Sequence, residues 1–156
     1  MIGWIDIVSP RLRKMHQQWL WRRGPAMIPH MEEYEGFSAA ARVAEDFAIV
    51  MFMSSDQSNG LVMQAGEEIQ RVLPGLAVGK PFGSRHLPRQ RIGLASWPAL
   101  ACKTGQPLCE RGLIDNFGSQ VDFEVLTLPF ANNQEKTGMV HTVFDIPRTA
   151  WRGTEP

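Results

Sequence analysis

The spacing of apolar residues predicts an amphipathic helix over residues 9–23. Three apolar side chains recur every three or four residues and therefore share one stripe of that helix: Leu12, Met15 and Trp19. Ser9 can cap the helix, Pro10 suits its first turn, and Gly24 lets the chain leave it. The first predicted element is therefore a helix with one stripe to bury.

The strongest strand signal is the continuously apolar run DFAIVMFM, residues 46–53. Such a run is typical of a strand that is buried on both faces. We expect the N-terminal helix, or another subunit, to cover its second face. The turn residues Asn59 and Gly60 predict a hairpin into a second strand over residues 61–65.

Three later runs have the length and the turn boundaries of strands: residues 107–115, 120–130 and 139–146. In the middle run, Val121, Phe123 and Val125 alternate with Asp122 and Glu124. This alternation predicts an antiparallel strand with one face in water.

Helical segments are predicted before and between these strands, over residues 38–45, 67–73 and 88–104. Pro98 must either kink the last helix or mark a new start after Ser96. The order is helix, helix, two strands, helices and three strands. It predicts an α+β domain with an antiparallel sheet.

Composition narrows the class of protein. The 156 residues carry a formal net charge of zero, so no global field attracts nucleic acid or an anionic membrane. Cys102 and Cys109 are the only cysteines, which suits two free thiols in a reducing cytosol, although a redox switch between them stays open. The chain shows neither a signal-peptide pattern nor a membrane-spanning run. We therefore expect a cytoplasmic domain that binds no nucleic acid.

The segment PGLAVGKPF, residues 74–82, has the look of a phosphate loop but the wrong spacing. It places three spacers where the motif needs four, and Pro81 follows Lys80. We interpret the segment as a connector in which Gly79 permits a tight bend and Phe82 turns inward.

No arrangement of residues predicts catalysis. The chain lacks a Gly-x-Ser-x-Gly nucleophile motif and the usual metal-binding histidine spacing. His86, just before the helix at 88–104, is the best candidate for an axial haem ligand. We expect no catalytic activity, with a small α+β enzyme carrying an unrecognised site as a second alternative.

Trp21 lies among basic residues near the end of the first helix. It can pack on a neighbouring element of its own chain, which is the interpretation we favour, or it can contact a partner or a lipid surface.

Three stretches together resemble the PAS sensor superfamily, and more narrowly the small stand-alone bacterial PAS proteins. HQQWLWRRGPAMIP, residues 16–29, resembles their tryptophan-containing helix and proline connector. GLVMQAGEEIQRVLPGLAVGKPF, residues 60–82, resembles their strand, their helix and a Gly-x-x-x-Gly-Lys ending. Residues 104–146 resemble their Thr-Gly-x-Pro, the following strands and the closing hairpin.

The resemblance implies a PAS-like five-stranded antiparallel sheet with helices on one face and an N-terminal flanking helix. It divides the chain into that flanking helix (1–24), a connector with a short helix (25–45), a PAS-like domain (46–148) and a tail (149–156).

The resemblance also implies a cytoplasmic sensory or regulatory domain that senses a small molecule, contacts a signalling protein partner, or does both. The cofactor is undetermined, and a haem- or flavin-binding sensor is the alternative. Seven residues on the expected inner sheet face and the facing helices are candidates to line a pocket, with plain core packing as the competing interpretation: Met63, Ile69, Phe82, Trp97, Leu100, Phe123 and Val125. We also expect a homodimer through the N-terminal helix.

Overall fold

A computed structural model describes residues 7–24, 28–30, 47–54, 60–72, 76–82, 97–116, 119–132 and 137–146. Several sequence predictions lie outside these residues: the short helix at 38–45, the first half of the helix at 88–104, His86 and the tail at 149–156.

The described residues form three helices, with bounds α1 Pro10–Arg23, α2 Glu67–Val72 and α3 Trp97–Thr104. They also form five strands, with bounds β1 Ala48–Met53, β2 Gly60–Ala65, β3 Leu108–Asn116, β4 Ser119–Ala131 and β5 Thr137–Asp145. Pro98 falls in the first turn of α3, where a missing amide hydrogen costs no helical hydrogen bond.

The five strands form one antiparallel sheet in the order β2-β1-β5-β4-β3. The last strand in sequence, β5, lies at the centre and pairs with β1 on one side and β4 on the other. This confirms the predicted sheet, and it places the continuously apolar β1 beside the central strand.

Both faces of the sheet are covered. An inner cluster lies between the sheet and the helices α2 and α3, and consists of Phe47, Ile49, Met51, Val62, Ile69, Leu76, Phe82, Ala101, Cys102, Phe123, Val125, Val140, Phe144 and Ile146. An outer cluster lies under α1 and consists of Ile7, Leu12, Met15, Trp19, Ala48, Val50, Leu126, Leu128, Phe130, Met139 and Val143. The N-terminal helix is therefore the cover that the doubly apolar β1 required.

The start and end of α1 follow from its sequence. The Ser9 hydroxyl accepts a hydrogen bond from the Leu12 amide at 3.2 Å, and Pro10 occupies the first turn. Gly24 ends the helix at a φ of 54°, a conformation that glycine adopts readily. The predicted stripe of Leu12, Met15 and Trp19 is fully buried against the sheet.

The segment at residues 76–82 borders the edge strand β2. The Val62 amide donates to the Lys80 carbonyl at 3.0 Å, and the Phe82 amide donates to the Gly60 carbonyl at 2.8 Å. Gly79 turns the chain at a φ of 85°, and the Phe82 side chain is buried in the inner cluster. The interpretation of this segment as a bend is confirmed, and its hydrogen bonds occupy edge groups that another chain would otherwise pair with.

Two sequence predictions about exposure are wrong. Glu124 was expected on a wet face of its strand, but it is only 7% exposed because α1 covers that face. Trp21 was expected to pack on its own chain, but it is 73% exposed because it projects from the side of α1 opposite the buried stripe.

Candidate functional site

The inner face of the sheet brings together four of the seven candidate pocket residues. Phe123 and Val125 come from β4, Ile69 comes from α2, and Phe82 comes from the segment after Gly79. All four are buried in the inner cluster, and the rings of Phe123 and Phe144 lie 5.6 Å apart. The structure therefore groups these candidates where sheet and helices meet.

Met63 does not belong to this group. The register between β1 and β2 shifts after Val50, where Val50 pairs with Gln64 and Met51 pairs with Val62. Met63 is the extra residue of this β-bulge, and its side chain is 38% exposed. Val62 occupies the inner cluster in its place.

Leu100 is also misplaced by the sequence prediction. It lies on α3 but is 48% exposed, and the next two residues, Ala101 and Cys102, are the ones that pack on the sheet. The Trp97 side chain and all of His86 lie outside the described parts of the chain.

The inner face also carries a buried polar pair, which the sequence analysis does not predict. Thr127 of β4 and Thr142 of β5 are direct cross-strand partners, and their hydroxyl oxygens are 3.1 Å apart. Their strand parity places them with Val125 and Val140 of the inner cluster. Both threonines are fully buried, so the inner face is apolar with hydroxyl groups near its middle.

The sequence carries a signal for this pair. Thr127 interrupts an otherwise apolar run in β4, and Thr142 lies next to His141 between the apolar residues of β5. Polar residues within a strand that is buried on both faces must find hydrogen-bond partners inside the protein. Only the register of the two strands, which the sequence does not contain, shows that they partner each other.

The outer face has a buried carboxylate that holds the start of α1. One oxygen of Glu124 accepts a hydrogen bond from the Ser9 amide at 2.7 Å, and the other accepts from the Val8 amide at 2.9 Å. Arg111, on the neighbouring strand β3, donates to the same carboxylate at 3.0 Å. Burial alone would raise the pKa of Glu124, but these donors outweigh it and the pKa is lowered.

Two further contacts fix α1 along its length. Arg11 forms an ion pair with Asp145 of β5 at 2.8 Å. The indole nitrogen of Trp19 donates to the Pro129 carbonyl of β4, also at 2.8 Å, beneath the helix. Together with Glu124, these bonds attach the start and the second half of α1 to the two strands that carry the threonine pair.

His141 lies on the outer face, under α1. It pairs with Val50 on one side and Leu128 on the other, and its side chain is fully buried. Burial lowers the pKa of His141 to about 4. The imidazole is therefore neutral at physiological pH.

The two cysteines lie on opposite faces of the sheet and are free thiols. Cys102 belongs to the inner cluster and Cys109 packs against the outer one. Burial raises the pKa of each thiol to about 12, with the Glu124 carboxylate adding to the effect at Cys109. In this arrangement the two thiols therefore form no disulfide with each other.

Within the described parts of the chain, no three histidine, cysteine, aspartate or glutamate side chains are grouped as metal ligands. In the same parts, no helix has the length and the apolar character needed to cross a membrane.

No protein-family model matches the chain, and no curated protein matches it. Solved structures do resemble its fold. A light-oxygen-voltage domain, from work in which a flavin analogue sheds light on the mechanism of such domains, has a TM-score of 0.53 at 11% sequence identity. The match covers 78% of this chain and 93% of that one.

Two more solved structures have lower scores. The light-state light-oxygen-voltage domain of the blue-light photoreceptor Aureochrome1 has a TM-score of 0.49 at 12% identity, covering 72% of this chain and 91% of that one. The PAS domain of Bordetella pertussis BvgS has a TM-score of 0.46 at 9% identity, covering 78% and 93%. The strand order and the first of these matches together define the fold: this chain has the fold of the PAS superfamily.

Proposed function

We propose that this protein is a sensory or regulatory domain of the PAS type, which binds a small molecule at the inner face and acts through protein contacts. The single observation that supports this proposal is the buried hydroxyl pair of Thr127 and Thr142 within an apolar cluster. A mostly apolar surface with few polar groups is the usual lining of a small-molecule site.

Counting hydrogens shows why the pair suits a ligand. Two hydroxyl groups contribute two hydrogens, and the bond between Thr127 and Thr142 uses one of them. Neither hydroxyl makes a second side-chain hydrogen bond among the residues that the structure describes. A buried donor without an acceptor costs about 1–3 kcal/mol, so a mostly apolar ligand that brings one acceptor would recover that energy.

The strand β4 offers a route from this site to α1. Phe123 and Val125 face the inner cluster. Glu124, between them, faces the opposite side of the sheet, where it accepts hydrogen bonds from the amides of Val8 and Ser9. Because neighbouring residues of a strand share its backbone, a ligand that shifts β4 also shifts the carboxylate that anchors α1. We propose that α1 carries the output, since a domain without chemistry of its own needs a partner protein.

A bound cofactor is the second candidate, because the structure with the best of the three TM-scores is a light-oxygen-voltage domain described with a flavin analogue. An absorption spectrum of freshly purified protein tests for flavin and for haem. A flavin or haem band would show that the inner face holds a resident cofactor rather than a transient small molecule. An enzyme with an unrecognised site stays an alternative that turnover of the bound compound would reveal.

The homodimer expected through the N-terminal helix stays a prediction. The apolar stripe of α1 is already used on its own sheet, so a second copy would have to contact the exposed side of the helix. Sedimentation equilibrium of the purified protein measures this directly.

The ligand proposal is tested by native mass spectrometry of the protein purified gently from its host. We expect wild-type protein to carry a small molecule, and Thr127→Val to lose most of it, because valine keeps the shape and removes the hydroxyl. Thr104→Val is the matched control, since Thr104 lies at the exposed end of α3 and its hydroxyl bonds the helix and the turn that follows it, away from the inner face. Equal ligand content in all three proteins, or no ligand in the wild type, would contradict the proposal.

A further inference from the structure

The side of α1 that faces away from the sheet carries one row of exposed residues. Their spacing of three and four residues places them on the face opposite the buried stripe: Pro10, Lys14, Gln17 and Trp21. Trp21 is 73% exposed, the highest value among the large apolar side chains that the structure describes. We call this row the Trp21 face.

The charged residues of α1 are all basic. The helix contains four arginines and one lysine but no acidic residue. Arg11 is neutralised by Asp145, but Lys14 has no ion pair among the described residues. The guanidinium of Arg22 lies 5.5 Å from the centre of the Trp21 ring, which brings a cation and an aromatic surface together.

This surface is held in place before any partner arrives. Glu124 fixes the start of α1, and Trp19 fixes its second half through the Pro129 carbonyl. Binding to a preorganised helix costs less conformational entropy than binding to a mobile one. Tryptophan and arginine are also the residues most enriched among those that dominate binding energy at protein interfaces.

We propose that the Trp21 face binds an acidic segment of another protein, with the indole as its apolar contact and Lys14 as its cation. The proposal does not depend on a ligand at the inner face. A partner rich in carboxylates matches a helix that has five basic residues and no acid.

Three other occupants fit less well. A second copy would bring two basic helices together, and like charges would then oppose the contact. Binding to a lipid surface requires an exposed apolar face, and the apolar stripe of α1 is already buried against its own sheet. Nucleic acid needs many phosphate contacts, and this chain has a formal net charge of zero.

Fluorescence anisotropy with a fluorescein-labelled copolymer of glutamate and tyrosine tests the proposal. We expect wild-type protein to bind it in a way that weakens as salt rises. Trp21→Ala should weaken binding at least about tenfold, as loss of a dominant interface side chain does. Lys14→Glu should weaken it about threefold or more, because it reverses a charge on the same face.

Two matched controls carry the same chemistry elsewhere. Val78→Ala removes another exposed apolar side chain, and Lys103→Glu reverses an exposed charge on α3, across the sheet from α1. Both should bind like the wild type, and circular dichroism should show all four variants folded.

Several results would overturn the proposal. One is no binding of the acidic copolymer, and another is equal weakening by the controls. Tighter binding to phosphatidylserine vesicles or to duplex DNA would assign the face to those partners instead. A wild-type dimer that Trp21→Ala converts to a monomer would assign it to a second copy.

Discussion

Replacing Glu124 by glutamine should loosen the start of α1 while leaving the sheet intact. The carboxylate of Glu124 accepts hydrogen bonds from two backbone amides, at 2.7 and 2.9 Å, and from Arg111 at 3.0 Å. Glutamine keeps the size of the side chain but retains one acceptor oxygen. Its amide nitrogen must then face a backbone N–H group, so one donor loses its acceptor.

The expected cost follows from the burial of these groups. Glu124 is 7% exposed, and hydrogen bonds to a buried charged group contribute about 1.5–3 kcal/mol each. The side chain of Arg111 is 47% exposed, so its ion pair adds at most about 1 kcal/mol. We therefore expect Glu124→Gln to lower the free energy of unfolding by about 2–4 kcal/mol, which corresponds to a fall in Tm of about 5–15 °C for a domain of this size.

Urea unfolding measures the stability, and hydrogen exchange measures where it is lost. Peptides covering residues 8–23 should lose protection in Glu124→Gln, while peptides from β5 should keep it. Glu110→Gln is the matched control, because Glu110 is exposed on β3 and the same substitution there should change stability by less than about 0.5 kcal/mol. Equal stability of the two variants, or unchanged protection of α1, would refute the role of Glu124 as its anchor.

The pH dependence provides a second check on the same residue. The lowered pKa of Glu124 means that its contribution is fully present above the ordinary value of 4.5 and is lost as the pH falls through the lowered value. Glutamine does not titrate. The difference in stability between wild type and Glu124→Gln should therefore shrink in acid, and a constant difference would contradict the assignment.

Three further substitutions test other parts of the structure. Burial lowers the pKa of His141 from 6.5 to about 4, so wild-type stability should fall by up to about 3 kcal/mol as the pH drops through that window, and urea titrations of His141→Leu should lack this fall. Trp19→Phe removes the donor to Pro129 and should cost about 2–3 kcal/mol in the same assay, whereas Trp21→Phe on the exposed side should cost almost nothing. Gly79→Ala places a side chain at a φ of 85° with no neighbour within 4 Å, so backbone strain alone should lower stability by about 1–2 kcal/mol; an unchanged Tm would show that the bend relaxes.

Most of the fold could be predicted from the sequence, because the residues within and beside each helix or strand indicate where it begins and ends. Ser9, Pro10 and Gly24 bound α1 by their own backbone chemistry, and the structure uses all three in those roles. The order of elements and the resemblance to PAS proteins supplied the five-stranded antiparallel sheet. The bend at Gly79 followed from the one residue type that tolerates its φ.

The candidate site was predicted less well, because its membership depends on register and on small rotations. Met63 left the inner face through a β-bulge, which a strand pattern with period two does not show. Leu100 and Ala101 are neighbours on α3, and a difference of one helical position separates solvent from core. Thr127 and Thr142 are paired only by the alignment of two strands.

The misplacement of Glu124 has a more instructive cause. The alternation at residues 121–125 predicted a wet face, but the same parity continues with Leu126, Leu128 and Phe130, which no strand leaves in water together. The whole length of β4 therefore indicates a strand that is buried on both faces. A carboxylate on a buried face, such as that of Glu124, needs hydrogen-bond donors inside the protein. The donors are the amides of Val8 and Ser9 at the start of α1.

The two faces of β4 are thus parts of one arrangement. On one face Val125 belongs to the inner cluster and Thr127 bonds Thr142, and on the other Glu124 holds the start of α1 and Leu126 packs in the outer cluster. A helix attached by a buried carboxylate has few intermediate positions, because moving it leaves charge and amides unpaired together. A small displacement of β4 would then release α1 as a unit rather than tilt it gradually, which is the behaviour that the proposed output through α1 requires.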